Sequence, residues 1–359
     1  MLLFWITYIN KMSLKFNLAY LTLGQVCILL FLLGCGADPE PDETFVFKKP
    51  ANFPEPTYTF KNNPVTKDGF LLGKKLFFDP ILSRDGSVSC NNCHIQSTAF
   101  ADSQQHPLSI GVDNQPGTRN APALANLAFM KEFFWDGGVT HLDFVAINAI
   151  ESDFEMDEKL SNIVLKLNNH PEYPTLFKKA FGVEEVTSPY MLQALSQFMV
   201  MMVSANSRYD KHVRSEGEQL TSEELEGLAL FQANCASCHS GELFSDFSYR
   251  NNGLSSQFPD QGRARITEFS GDLGKFRVPS LRNVALTAPY MHNAQFNTLE
   301  KVLQHYVQGV VDSETLDPIL KKGNQLGISL SSEEQQKIIA FLRTLTDQEF
   351  RANTRFQNK

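Results

Sequence analysis

Apolar positions in this 359-residue chain recur at helical spacing wherever polar residues supply a start signal. "TKDGFLLGKKLFF", residues 66–78, is one such stretch. "TSEELEGLALF", residues 221–231, is another, and its Thr221 and Glu224 form a capping box. A third, "FNTLEKVLQHYVQG", predicts a helix capped by Asn297 with Glu300 at the capping-box position. Leu299, Val302, Leu303 and Tyr306 then share one apolar face, and His305 points elsewhere. No strand-rich block and no glycine-rich phosphate loop appears. The pattern predicts a mainly α protein.

The N-terminus differs in kind. Lys11 and Lys15 precede a long apolar run that ends in small residues before Cys35, the order of an export signal over residues 1–34. Leu32-Leu33-Gly34-Cys35 resembles a bacterial lipobox, which implies an acylated Cys35 anchored to a membrane surface. Residues 35–60, rich in proline and acidic groups, read as a tether. Removal of residues 1–34 takes away two lysines and moves the net charge from −8 to −10. Such acidity argues against nucleic acid as a partner. It suits an electrostatically steered encounter with a basic protein.

Cys27 and Cys35 lie in or beside the export segment. The other four are Cys90, Cys93, Cys235 and Cys238, and each pair belongs to a C-x-x-C-H pattern closed by His94 or His239. That pattern suits c-type haem: two thiols bond the two vinyl groups, and the adjoining histidine falls beneath the iron. A zinc ribbon needs its cysteine pairs close together, and these are more than a hundred residues apart. The reading is two covalently bound c-type haems.

After the first motif comes "RNAPALANLAFMKEFFWDGG", and after the second "RNVALTAPYMHNAQFNTLEKV", a loose internal duplication. Boundaries follow: a first haem domain over residues 61–209, a second over 210–350, a hinge near 207–217, and a tail at 351–359. With "GTRNAP", "FFWDGG", the Glu155-Met156 pair and "RVPSLRNVALTAPYMHNAQFNTLEKV", the chain resembles the bacterial di-haem cytochrome c peroxidase family over about residues 60–348. That family includes the di-haem enzyme that matures methylamine dehydrogenase.

The resemblance implies two cytochrome c-like helical domains and a division of labour. A small periplasmic carrier, a cytochrome c or a cupredoxin, would feed electrons to the C-terminal haem, and hydrogen peroxide would be cleaved at the N-terminal one. Many members cap the first iron with the histidine of an I-G-H tripeptide. Here Ile110-Gly111-Val112 stands there, and valine cannot ligate iron. His106 lies nearby but reads as a surface loop residue. Glu155 matches the acid-base carboxylate, and Trp135 the residue between the haems. Val145 replaces a glutamine often found ten residues after that tryptophan, which makes the pocket more apolar. The second haem's sixth ligand is expected at Tyr306, with Met291 as the alternative. Asn120, Thr287 and Pro289 match positions that hold one calcium ion. His141, His170, His212 and His292 read as structural or surface residues. A homodimer is compatible with all of this.

Three functions compete: a peroxidase, a maturase-like oxidase acting on a protein side chain, and a membrane-tethered electron carrier without peroxide turnover. Glu155 and the missing cap at Val112 argue against the carrier.

Overall fold

The computed structural model describes residues 43–102 and 108–358. The export signal, Cys35, the first part of the tether, His106 and Lys359 lie outside the described residues. Among the described residues no helix is long and apolar enough to cross a membrane.

The fold is mainly helical, with strands confined to two-residue ribbons. The main helices are α1 (Lys67–Phe78), α2 (Val145–Glu151), α3 (Leu160–Asn168), α4 (Tyr173–Phe181), α5 (Ser188–Val200), α6 (Arg208–Val213), α7 (Ser222–Asn234), α8 (Leu299–Gln304), α9 (Ser332–Arg343) and α10 (Gln348–Ala352). Single helical turns carry Cys90–Cys93 and Ala264–Thr267. Their starts follow local chemistry. The Thr66 hydroxyl accepts from the Gly69 amide, and Thr221–Glu224 and Ser331–Glu334 form capping boxes. Helix α8 departs from expectation: its cap is Thr298, whose extended backbone lets the hydroxyl accept from Lys301, and not Asn297. Beyond Gln304 the helix widens into a π turn, His305–Gly309.

Among the described residues two large hydrophobic cores form, each built on one close helix crossing, beside a small third cluster of Val310, Leu316 and Leu320. In the first, α1 crosses α5 where Gly73 meets the Ala194 carbonyl, and a Cβ there would lie 1.9 Å from that oxygen. In the second, α7 crosses α9 where Gly227 meets the Lys337 carbonyl, again at 1.9 Å from a Cβ. Phe47, Phe53, Tyr58 and Phe60, from the stretch read as tether, pack on the first core. Phe350 and Phe356, from the chain's end, do so too. Aromatic side chains in that proline-rich stretch outweigh its composition, because burying each one is worth about 1.5–3 kcal/mol.

The internal duplication is real in backbone terms, with its own register. Asn126 and Asn283, 157 positions apart (283 less 126), both adopt left-handed backbone and both precede a single 3-10 turn. Asn126 Oδ1 accepts the Ser204 amide after α5, and Asn283 Oδ1 accepts the Asp347 amide after α9. At the same spacing, Phe133 bridges Val139 and Tyr290 bridges Phe296, around left-handed Phe134 and Met291. Trp135 thereby corresponds to His292, and Asn120 to Arg277. These equivalents clasp one another across the domains: Asn120 donates to the His292 carbonyl at 2.8 Å, and Arg277 to the Trp135 carbonyl at 2.7 Å.

Candidate active site

Each C-x-x-C-H histidine is fixed in the same way. The turn that follows it swings a buried phenylalanine carbonyl back onto the ring, using left-handed backbone at Phe100 in one domain and Phe244 in the other. His94 Nδ1 donates to Phe100 O at 3.0 Å, and His239 Nδ1 to Phe244 O at 3.1 Å. A carbonyl only accepts, so Nδ1 holds the proton and Nε2 keeps its lone pair free for a metal. Burial lowers both imidazole pKa values and keeps them neutral, as a ligand must be. None of these four half-buried cysteines is paired in a disulfide. Burial of the sulfur pushes Cys90 and Cys235 up to about 12 and Cys93 to about 11.

The second motif opens onto a cavity whose lining includes Cys235, Cys238, His239, Met291, Tyr306 and Arg277. Arg277 decides what fits there. The residue is 6 % exposed, yet among the described residues its guanidinium pairs directly with no carboxylate, with Glu132 only within electrostatic reach, and its Nε donates to Phe134 O at 3.1 Å. Burial drags its pKa down to about 10. A buried cation facing a cavity calls for an anion from outside the chain. The carboxylates of a haem, attached through Cys235 and Cys238, meet that need.

Above the first motif lies Glu155. Its turn is locked to the Ile110-Gly111-Val112 segment: Val112 N donates to Glu155 O at 2.8 Å, and a Cβ on Gly111 would strike the Phe154 and Glu155 carbonyls. Val112 itself is fully buried. Arg84 ties both segments from outside, pairing with Asp113 and with Asp157. Glu155 is exposed, and it lies within electrostatic reach of both Cys90 and Cys93. The protein around its carboxyl raises its pKa to about 7.

Similarity to known proteins agrees with this geometry. Residues 67–218 match the family model described as di-haem cytochrome c peroxidase, and residues 225–346 match cytochrome c. The chain is 35 % identical to the methylamine utilization protein MauG of Methylorubrum extorquens, over 83 % of each chain. It is 32 % identical to the cytochrome c551 peroxidase of Pseudomonas aeruginosa, over 91 % of this chain and 92 % of the relative. The chain belongs to the di-haem cytochrome c peroxidase family. A solved MauG-like protein associated with microbial copper homeostasis superposes with a TM-score of 0.78 at 31 % identity, covering 87 % of this chain and 98 % of that one. The diheme peroxidase BthA of Burkholderia thailandensis shares the fold, with a TM-score of 0.70 at 22 % identity. Membership of this oxidoreductase family implies two c-type haems, and the two C-x-x-C-H motifs, Cys90/Cys93/His94 and Cys235/Cys238/His239, are the residues that would hold them.

The remaining site residues gather at the seam between the domains. Trp135 lines the second cavity, and its Nε1 donates to Asn120 O at 2.8 Å. Asn120 Nδ2 donates to Pro289 O at 2.6 Å and to Met291 O at 3.2 Å. Thr287 turns its hydroxyl to Val284 O at 3.3 Å. His292 stacks flat on Phe276, with centroids 3.5 Å apart, and stands edge-on to Trp135 at 6.5 Å. Tyr306 and Met291 face the same cavity as His239. Reasoning from sequence missed Arg277, Arg84 and Asn252. Arg277 did carry a signal, a lone cation in "FRVPSL", which is apolar but for Ser280.

Proposed function

We propose that this protein reduces hydrogen peroxide to water with electrons from a small periplasmic carrier, a cytochrome c or a cupredoxin. Electrons enter at the C-terminal haem, and peroxide is cleaved at the N-terminal one. Overall, one peroxide takes up two electrons and two protons and gives two waters. A c-type haem held by Cys90, Cys93 and His94 would supply the redox-active iron that binds peroxide.

The observation that carries this reading is the contrast between the two domains. By the spacing of the duplication, Tyr306 corresponds to Ala149, and the carbonyls of both accept an amide from the segment that follows, Ile328 in one domain and Met156 in the other. One domain offers an iron ligand at that point and the other offers a methyl group. The first domain brings in Glu155 instead, beside a valine that cannot ligate. A carboxyl with a pKa of about 7 takes a proton from one peroxide oxygen and returns it to the other, as acid-base catalysis near neutral pH requires. Trp135, hydrogen-bonded on one side to Asn120 and on the other to Arg277, is the path for electrons between the domains.

Tyr306 would be the sixth ligand of the second iron in this reading. One calcium ion would complete the seam, held by the carbonyls of Thr287 and Pro289 and by the Asn120 side-chain oxygen once its amide releases the Pro289 carbonyl to which it donates here, neutral oxygen donors that suit a hard cation. The reciprocal position supports it, because there the chain supplies its own cation, Arg277. Export and lipid anchoring at Cys35 place the enzyme on the periplasmic face of a membrane.

Tyr306 and the similarity to MauG proteins favour one second reading, a maturase-like oxidase acting on a protein side chain. Steady-state peroxide consumption by the holoprotein with a reduced cytochrome c separates the two. Sustained turnover supports the peroxidase; none with any small carrier, alongside oxidation of a protein substrate, overturns it.

A further inference from the structure

The turn "FFWDGG" belongs to the first domain, and the second domain holds it by its backbone. Four consecutive carbonyls, those of Phe134 to Gly137, accept bonds from two arginines of the second domain. Arg277 Nε donates to Phe134 O at 3.1 Å, and the Arg277 amide to Trp135 O at 2.7 Å. Arg263 donates to Asp136 O at 2.9 Å and to Gly137 O at 3.2 Å. The fit is close: Phe134 and Gly137 are left-handed, and a Cβ on Gly137 would lie 1.9 Å from the Tyr249 hydroxyl. Within the turn, Trp135 donates its indole N–H to Asn120 O.

The two terminal nitrogens of Arg277 have no partner among the described residues, and they are not sealed in. The open space there is the cavity of the second motif, which Arg277 lines together with Cys235, Cys238 and His239. Arg263 is not among the residues that line it. Glu132, the acid within electrostatic reach of Arg277, already accepts from Tyr249 and from Arg263. A guanidinium is a rigid planar fork, so Nε can serve one partner while the paired terminal nitrogens grip a carboxylate with two parallel bonds.

We propose that Arg277 is a clasp with two arms: Nε holds the Trp135 turn of the first domain, and the terminal nitrogens take a carboxylate of the haem attached at Cys235 and Cys238. Arg277 is a positioning residue, and its role rests on the second motif carrying a haem. Its charge, set beside that haem, favours ferrous iron over ferric and raises the potential of the group that receives electrons in the proposed reaction. Its Nε fixes the turn whose tryptophan carries those electrons across the seam.

Two substitutions separate the arms. R277Q keeps a donor nitrogen where Nε stands and removes the charge, whereas R277K keeps a charge and puts a methylene where Nε stands. The holoproteins are compared in a W5F background, where Trp135 is the single tryptophan. Redox titration reads the outer arm. At fixed poise the ferrous-to-ferric ratio of the second haem falls at least tenfold in R277Q, about 59 mV for one electron, and stays within about threefold of the parent in R277K. The indole N–H band in ultraviolet resonance Raman reads the inner arm: it shifts in R277K and keeps the parent's position in R277Q. R263M, which loosens the same turn away from the cavity, shifts the indole band and leaves the potential at the parent's value. A parent-like potential in R277Q, or a parent-like indole band in R277K, overturns the clasp, and with two haems per chain the reading it rests on stands. One haem per chain, with the second motif empty, overturns that reading itself. Should R277Q load haem poorly, the propionate-bending band in resonance Raman of R277K decides, because the fork is gone: a shifted band supports the outer arm and a parent-like band overturns it.

Discussion

In the proposed reaction the chemistry turns on Glu155. Partial burial of its carboxyl raises the pKa to about 7, although the residue as a whole is exposed. Proton abstraction from peroxide needs the carboxylate, so turnover should rise with pH through that value. In Glu155→Gln the rising limb should vanish and the rate fall about 10²–10⁴-fold, the usual contribution of a placed acid-base group. Stopped-flow rates across pH 5–9 check this; a variant with the parent's profile removes Glu155 from the mechanism. At this scale the sequence was legible where chemistry has a fixed spacing, as in C-x-x-C-H. It was not legible where a side chain acquires meaning from its neighbours. Arg277, in a short strand, and Asn252, in a loop, gain meaning only when the fold leaves the first facing the cavity with no direct carboxylate partner among the described residues and brings the second to 3.3 Å from Met291 Sδ.

Among the elements, the two glycine crossings carry the architecture. Gly227→Ala would gain about 1 kcal/mol of helix propensity. The new methyl would stand 1.9 Å from the Lys337 carbonyl and 3.0 Å from Phe341 Cβ, both on α9. Backbone cannot yield as a side chain can, and overpacking costs about 1–3 kcal/mol. The crossing should lose, with a lower melting temperature by calorimetry and disturbed haem spectra in the second domain; a stabilised variant would contradict the packing described. The helices themselves could be read from caps and apolar spacing. The cap of α8 fell one residue later than expected because Asn297 and Thr298 are both good caps, and only backbone angles choose between them. The duplication was visible, but matching one "RN" to the other misplaces its register. What repeats is a left-handed asparagine, Asn126 or Asn283, and not a dipeptide.

In the whole molecule, the two domains are fastened more tightly than their separate haem motifs imply. Arg282 of the second domain, held by two 2.8 Å bonds to buried Asp210, lies 4.4 Å over the ring of Phe53, which packs in the first core. The end of the chain returns to the first core, where Phe356 packs against Phe70, Phe100, Phe198 and Phe350. Gln96, two residues after His94, donates to the carbonyls of Phe350 and Asn353. Phe356→Ala should therefore destabilise the first domain, far away in sequence, by about 3–5 kcal/mol. Urea titration followed at the first haem checks it, and a change below about 0.5 kcal/mol would show that the clasp contributes little. No sequence pattern announces this contact, because a single phenylalanine in "TRFQNK" has no periodicity to betray its burial.

The central claim is an asymmetry: one iron closed by two protein ligands, the other open beneath Glu155 because Val112 and Ala149 offer nothing to bind it. Electron paramagnetic resonance of the as-isolated ferric holoprotein tests it most directly. The account predicts one high-spin signal from the first haem and one low-spin signal from the second, before any reduction. Two low-spin signals would contradict it, since a sixth ligand would then already occupy the face assigned to peroxide.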